Sequence, residues 1–531
     1  MLAKIRKNTS QICKKILQNK YTVFMLILSL IEIICLFLNP YIKIKYTIIS
    51  SSTLVFLSLF SPGWIFSIFY FFTGMILLFD WHFVHLYGAP FKSMAQQILA
   101  VTFDTNIMEM ASYINLLSPF ELTIFFILAF LFIIMLFIKF KKRGWFIYFL
   151  IMLFSLWTGA GKPYIKEISK YISQSHDYGK QIKEKNNFKW GAVSSQNSPQ
   201  NVIIFIGESQ RYDYFEKVWH NFMGNNIILM SDAISQYAYT LWAMPQILSR
   251  KTVNEKKPLF YESSIFKLFE EAGYETYFIS YLKKLHVGDD NINFITIESQ
   301  NFSQYGSGRK DYVPIKYPDG TPDDFVNDAE IIPLVDNILR KDDKKKLVVI
   351  KIIGCHYNFE DRYPNSFDKH KPSLKQNHLP LKNENKEIIL KTYENAMEYS
   401  VYVIQEFLKT INKIPSSTFL VFSSDHAINI FDNGKWMVAN VPQSFHIPIF
   451  WYANDAYLNT EENRIMWNKL SKQKDKPVIS NYIPETITRL ASIHHDHYNP
   501  KMDILEDDEK FKQKRMVIWT DLSEHFYEDM E

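Results

Sequence analysis

Cysteine is nearly missing from this chain. The 531 residues contain three, Cys13, Cys35 and Cys355. Two fall in the apolar first third, so Cys355 has no partner in the remainder and no disulfide framework is possible there. This does not argue against export, because a large core needs no bridges. Excess charge is scarce as well. The formal net charge is +4, too small to point to nucleic acid, and no nucleic-acid partner is expected. A cleavable leader is not evident either. The apolar run 21–38 follows Lys4, Arg6, Lys7, Lys14, Lys15 and Lys20, but "NPYIKIKY" comes after it, without a small-residue cleavage site. The run reads as an uncleaved membrane anchor.

Long apolar runs are present in number. Four more follow at 46–60, 63–79, 122–138 and 145–159. Some fall short of the usual length of about twenty residues. Together they predict five membrane spans. The basic residues give an orientation: the N-terminal group and "KFKKR" at 139–143 share one side, while the connection 80–121 carries only Lys92 and lies on the other. An odd number of spans then places everything after Gly161 outside the cytoplasm. Glu32 lies inside the first run. An intramembrane carboxylate is a functional candidate by default, but one that is neutral or paired within a bundle needs no function, and it is left out of the site. Residues 162–200, ending in the polar "SSQNSPQN", read as a connector. They form either a solvated linker or a surface helix with lysines toward anionic headgroups. The expected domains are 1–161, 162–200 and 201–531.

Past residue 200, short apolar runs at 202–206, 275–279, 347–353, 418–423 and 447–452 alternate with helix-like stretches such as 264–272 and 385–411. That alternation predicts a mostly parallel sheet covered on both faces. Ligands of such sheets gather at the carboxyl ends of the strands. Three runs end on chemistry: Gly207-Glu208-Ser209, Gly354-Cys355-His356 and Ser424-Asp425-His426. Carboxylates and histidines so placed are ligands for zinc or manganese. "GES" also resembles the start of a serine elbow, G-x-S-x-G, but Arg211 stands where the last glycine belongs. Thr240, in "YTLWAMPQIL", opens a helix-like run. It reads as a plain N-cap or as a hydroxyl aimed at an anion, a poor nucleophile until a metal or base activates it. "IHHDHY" (493–498) has the composition of a metal cluster, but beside the acidic "DILEDDEK" it is read as a surface loop.

These segments resemble, in order and over nearly the whole chain, the membrane-anchored phosphoethanolamine transferases of the alkaline phosphatase/sulfatase superfamily. "IGESQRYDYF", "YTLWAMPQIL", "GCHYNFEDRYP", "YENAMEYS" and "SSDHA" carry the likeness, with "FDTNIMEMASY" in the apolar third. The resemblance implies an α-helical domain of five transmembrane helices in a bacterial inner membrane, plus an alkaline-phosphatase-like α/β domain in the periplasm. It implies that Glu208, Thr240, Asp425 and His426 hold a divalent metal, zinc in this family, with Thr240 as nucleophile. His356 would bind the phosphate or protonate the leaving oxygen; its alternative is a structural histidine at a strand end. The implied partners are a phosphatidylethanolamine donor, the lipid bilayer and an acceptor that is lipopolysaccharide (lipid A or core sugar) or another envelope glycan. Two departures stand out. Ala427, Ile428 and Asn429 follow His426 in place of Gly-Glu, and "KWMVANVP" lacks a further histidine, which bears on a second metal and on the headgroup contact. The lipid A enzymes' cysteine pairs are absent too, which weighs against lipid A in particular. Three rivals remain: a phosphoglycerol transferase or phosphodiesterase of the same superfamily, a serine hydrolase using Ser209, and a non-enzymatic membrane protein.

Overall fold

A computed structural model of the chain describes residues 20–40, 42–87, 118–136, 145–166, 187–219, 226–250, 264–280, 298–304, 327–377, 379–506, 508–520 and 523–530, with a few single positions between them. The N-terminal basic group apart from Lys20, "KFKKR", most of the 80–121 connection including "FDTNIMEMASY", and much of 162–200 lie outside the described residues. The chain divides into two compact units, one drawn from residues up to 173 and the other chiefly from residues 174–531.

Each of the five apolar runs forms a helix: α1 (Lys20–Leu38), α2 (Ile44–Phe60), α3 (Gly63–Tyr87), α4 (Pro119–Leu136) and α5 (Trp145–Thr158). Two of them, over Lys20–Leu38 and Gly63–His85, are long and apolar enough to cross a membrane; the other three are shorter. Their packing inverts that of a water-soluble bundle. Ser29, Glu32, Ser50, Ser58, Ser67 and Thr73 are buried, while Leu30, Phe126, Phe130, Phe154 and Trp157 are exposed. Small hydroxyl side chains let helices approach closely and bond across the gap. The Ser67 hydroxyl donates to the Phe132 carbonyl of α4 at 2.9 Å, and the Ala160 amide donates to Ser50 Oγ at 2.9 Å. Glu32 is paired inside the unit, where it accepts from the Thr73 hydroxyl.

The second unit is built on a seven-stranded sheet. Its strands are β1 (Asn201–Gly207), β2 (Ile227–Met230), β3 (Glu275–Ser280), β4 (Asn301–Gln304), β5 (Lys346–Lys351), β6 (Thr418–Ser424) and β7 (Ile449–Ala453). The spatial order is β2-β7-β6-β1-β5-β3-β4, and only β7 runs against the rest. β1, β5 and β6 are buried along their whole length, as strands covered on both faces must be. Val202, Ile204 and Ile206 face one core, shared with Ile247 and Leu248 of α7 (Thr240–Leu248) and Phe266 and Phe269 of α8 (Ile265–Glu271). Phe205 faces the other way and packs its ring 5.0 Å from that of Phe407 on α10 (Lys386–Ile411). Two further helices are α6 (Tyr212–Trp219) and α9 (Ile331–Arg340).

The reading of 493–498 as a surface loop is corrected. Ile493 and His494 pair with Ser194 and Val193 in a small antiparallel sheet. The His495 side chain is buried, with Nε2 3.2 Å from Glu485 Oε2, and its ring meets Trp190 edge-on. His495 and His497 pack against Trp190, while His494 is exposed.

Candidate active site

Register brings the candidate residues together. In the parallel ladder Gly207 pairs with Ser424 and Ile206 with Lys351. β1, β5 and β6 therefore end at one level, and the residues just past their ends converge there. Glu208, Asp425 and His426 are all buried, and one ligand atom from each lies within 4.8 Å of the others. His426 Nε2 is 3.3 Å from Glu208 Oε1 and 3.8 Å from Asp425 Oδ2.

Thr240 arrives from another direction, as the first residue of α7. The preceding Tyr239 is extended and gives the helix no side-chain cap, so the cap reading of Thr240 is replaced by a position one residue inside the helix. The helix thus presents free amides and the positive end of its dipole at the site. The Thr240 hydroxyl donates to Glu208 Oε2 at 3.1 Å and lies 3.2 Å from His426 Nε2.

The electrostatics are set by a residue that sequence reading passed over. Lys351, the last residue of β5, is fully buried. Its ammonium donates to Glu208 Oε2 at 2.8 Å, to Asp425 Oδ2 at 2.9 Å and to the Gly207 carbonyl at 2.6 Å. Burial works against its charge, but Asp425 and Glu208 outweigh burial and raise its pKa. Burial likewise works against an ionised Glu208, yet Lys351 and then His426 hold its carboxyl well below the usual range. A lysine inside the apolar "LVVIKII" is costly unless buried with partners, which flags Lys351 but does not name the partners.

His426 is oriented by its other nitrogen. Nδ1 lies 2.8 Å from the Ala427 carbonyl, and a carbonyl only accepts, so Nδ1 carries the proton. Nε2 is then the nitrogen that faces the carboxylates and Thr240 and can offer a lone pair once deprotonated, the orientation a metal-ligating histidine needs. Desolvation disfavours the imidazolium, but Asp425 and Glu208 push its pKa up to about 9. Two carboxylates, an imidazole nitrogen and a hydroxyl converging on one point fit a divalent ion of the zinc type.

His356 stands apart from this cluster. Its turn is clamped from behind: Asp328 accepts from the Ile353 and Gly354 amides at 3.0 and 2.9 Å, and Cys355 N donates to the Glu208 carbonyl at 3.0 Å. Gly354 adopts φ +48°, and a Cβ there would lie 3.0 Å from Glu208 N. This left-handed turn redirects the chain. His356 Nδ1 lies 2.5 Å from the Tyr357 carbonyl, and its charge is among those that lower Glu208. It is not among the three residues whose ligand atoms cluster.

Ser209 has φ +55°, a strained turn of the sort a nucleophile elbow uses. Its hydroxyl, however, donates to Glu208 Oε1 at 2.7 Å, and its amide donates to Asp425 Oδ1 at 3.2 Å. Ser209 braces the two carboxylates.

A mostly parallel α/β sheet with an acid, histidine and hydroxyl cluster at its strand ends defines a hydrolase or transferase domain of the alkaline-phosphatase-like class. The chain belongs to the sulfatase family within that superfamily: the Sulfatase family model matches residues 200–493, more than half of the chain. The phosphoethanolamine transferase EptC of Escherichia coli O18:K1:H7 (strain RS218 / NMEC) is 22% identical over 362 residues, covering 63% of this chain and 59% of that one. The Kdo(2)-lipid A phosphoethanolamine 7''-transferase of E. coli K12 is 24% identical over 144 residues, 26% of this chain and 24% of that one. The chain thus aligns with less than two thirds of these relatives' length. Among solved structures, the C-terminal periplasmic domain of E. coli EptC with Zn has the same fold as 65% of this chain (TM-score 0.53, 18% identity, 97% of that chain). The integral membrane phosphoethanolamine transferase EptA of Neisseria meningitidis matches 91% of this chain and 97% of its own (TM-score 0.61, 16% identity). The resemblance seen in the sequence is borne out at the level of family and fold.

Proposed function

We propose that the chain transfers phosphoethanolamine from phosphatidylethanolamine to an envelope glycolipid or glycan, lipid A or core sugar, through a phosphorylated Thr240. The observation that carries this reading is the Thr240 hydroxyl lying between Glu208 Oε2 and His426 Nε2, at the strand ends of a sulfatase-family domain. The names of the relatives support the donor group, and the Kdo(2)-lipid A enzyme supports a lipid A acceptor.

Glu208, Thr240, Asp425 and His426 would hold the ion, and the zinc complex of the EptC domain supports zinc. A divalent ion bound there supplies the positive charge that acidifies a hydroxyl and offsets charge on phosphoryl oxygens. Thr240 enters as the alkoxide, its proton having gone to solvent. Its Oγ attacks phosphorus as the bond from phosphorus to the diacylglycerol oxygen breaks. His356, as imidazolium, gives that oxygen a proton. In the second step the acceptor hydroxyl gives its proton to His356 and attacks phosphorus, and Thr240 leaves as the alkoxide. The same His356 thus serves both directions.

The remaining features complete the reading. Five spans hold residues 1–161 in the bacterial inner membrane, with 162–200 as connector and 201–531 as the periplasmic catalytic domain. An anchored enzyme shares a surface with its lipid donor. The test compares envelope glycolipids and glycans by mass spectrometry from cells carrying wild type or Thr240→Ala. A phosphoethanolamine increment that depends on Thr240 is expected. A phosphoglycerol increment, or free product alone, would favour the related transferase or phosphodiesterase instead.

A further inference from the structure

We infer that Lys351 is the built-in second cation of this centre, a positioning residue that fixes Glu208 and Asp425 and restricts the site to one divalent ion. The inference rests on the metal-site reading above. Two independent observations carry it.

The first is geometric. The Lys351 nitrogen has three acceptors, at 2.6, 2.8 and 2.9 Å, and an ammonium has three protons. All are spent, two of them on the carboxylates that face His426. An ammonium has no lone pair to ligate with, and this one has no proton left to aim at a substrate. It bridges Glu208 Oε2 and Asp425 Oδ2. The other oxygens are also taken: Glu208 Oε1, 3.3 Å from His426 Nε2, accepts from Ser209 Oγ, and Asp425 Oδ1 accepts from the Ser209 and His426 amides. The carboxylates are thus held in ligating positions by the protein itself, which is how a preorganised site is built.

The second concerns donors. Among the described residues, Glu208, Asp425 and His426 are the only group of His, Cys, Asp or Glu side chains close enough together to hold an ion. No second such group stands ready among them for another ion. A buried lysine supplies one unit of positive charge there without recruiting one.

Native mass spectrometry of the full chain in detergent, with zinc in excess, reads the stoichiometry directly. One ion per chain is expected. Two ions would overturn this inference and leave the transferase reading standing, whereas none would remove the metal-site reading itself. The second arm is Lys351→Met, which keeps the apolar stem and deletes the charge. Its metal-free form loses its counter-ion, so its Tm should fall well below that of wild type, and zinc should restore most of the loss. A lysine that merely packs would lower the two Tm values equally, and that result overturns the inference. If the variant cannot be folded even with zinc, the wild-type stoichiometry decides alone.

Discussion

The Thr240 hydroxyl lies 3.1 Å from the Glu208 carboxylate across 32 positions of sequence. One stands at the start of a helix and the other just past the end of a strand, and neither is explained by local structure alone. Their meeting joins a strand tip and a helix start in one cluster.

Thr240→Ser keeps an oxygen at this point and Thr240→Ala removes it. The serine variant should retain measurable transfer. The alanine variant should lose a factor on the order of 10³ or more, as nucleophile deletions do. Equal activity of the two variants in an assay with purified protein and labelled phosphatidylethanolamine would remove Thr240 from the chemistry.

His356 predicts a split between metal content and rate. It lies outside the ligand cluster, so His356→Asn should leave bound zinc unchanged by elemental analysis. Transfer should fall by about 10²- to 10⁴-fold, the usual worth of a general acid–base group. Loss of zinc from this variant would make His356 a ligand instead.

Gly354 and Gly434 form a matched pair. Both have positive φ, but a Cβ on Gly434 meets nothing within 4 Å, whereas one on Gly354 comes 3.0 Å from Glu208 N. Gly434→Ala should cost only the left-handed strain, about 1–2 kcal/mol. Gly354→Ala should cost more in urea denaturation and should also weaken zinc binding, because Glu208 must shift. Equal costs would mean that the turn yields freely.

In the metal-free protein His426 has a pKa raised from 6.5 to about 9. Its imidazolium then contributes stability that is fully present below pH 6.5 and is lost as pH rises through about 9. An ion takes the place of that proton, so the rise in Tm on adding zinc should grow with pH across this window. A zinc effect that is flat from pH 6.5 to 9 would contradict the placement of His426 in the site.

Much of this site was legible because a parallel sheet delivers its strand ends to one place. Apolar runs ending on Glu208, on His356 and on Asp425-His426 were enough to find β1, β5 and β6 and to set Glu208 above Ser209. Two things were not legible. Lys351 sits within a run read only for its apolarity, and its partners come from two other strands. The histidines of "IHHDHY" look solvated by composition, yet pairing with Val193 and Ser194 carries His495 inside. In each case the deciding contact is long-range, and no local pattern encodes it.

The central claim is that Thr240 itself carries the transferred group. Purified full-length protein, incubated with phosphatidylethanolamine and zinc but no acceptor, can be digested and its Thr240 peptide weighed and sequenced by tandem mass spectrometry. One phosphoethanolamine on Thr240, lost when acceptor is added, is the predicted result. An adduct on Ser209, or ongoing transfer with Thr240 never modified, would contradict it.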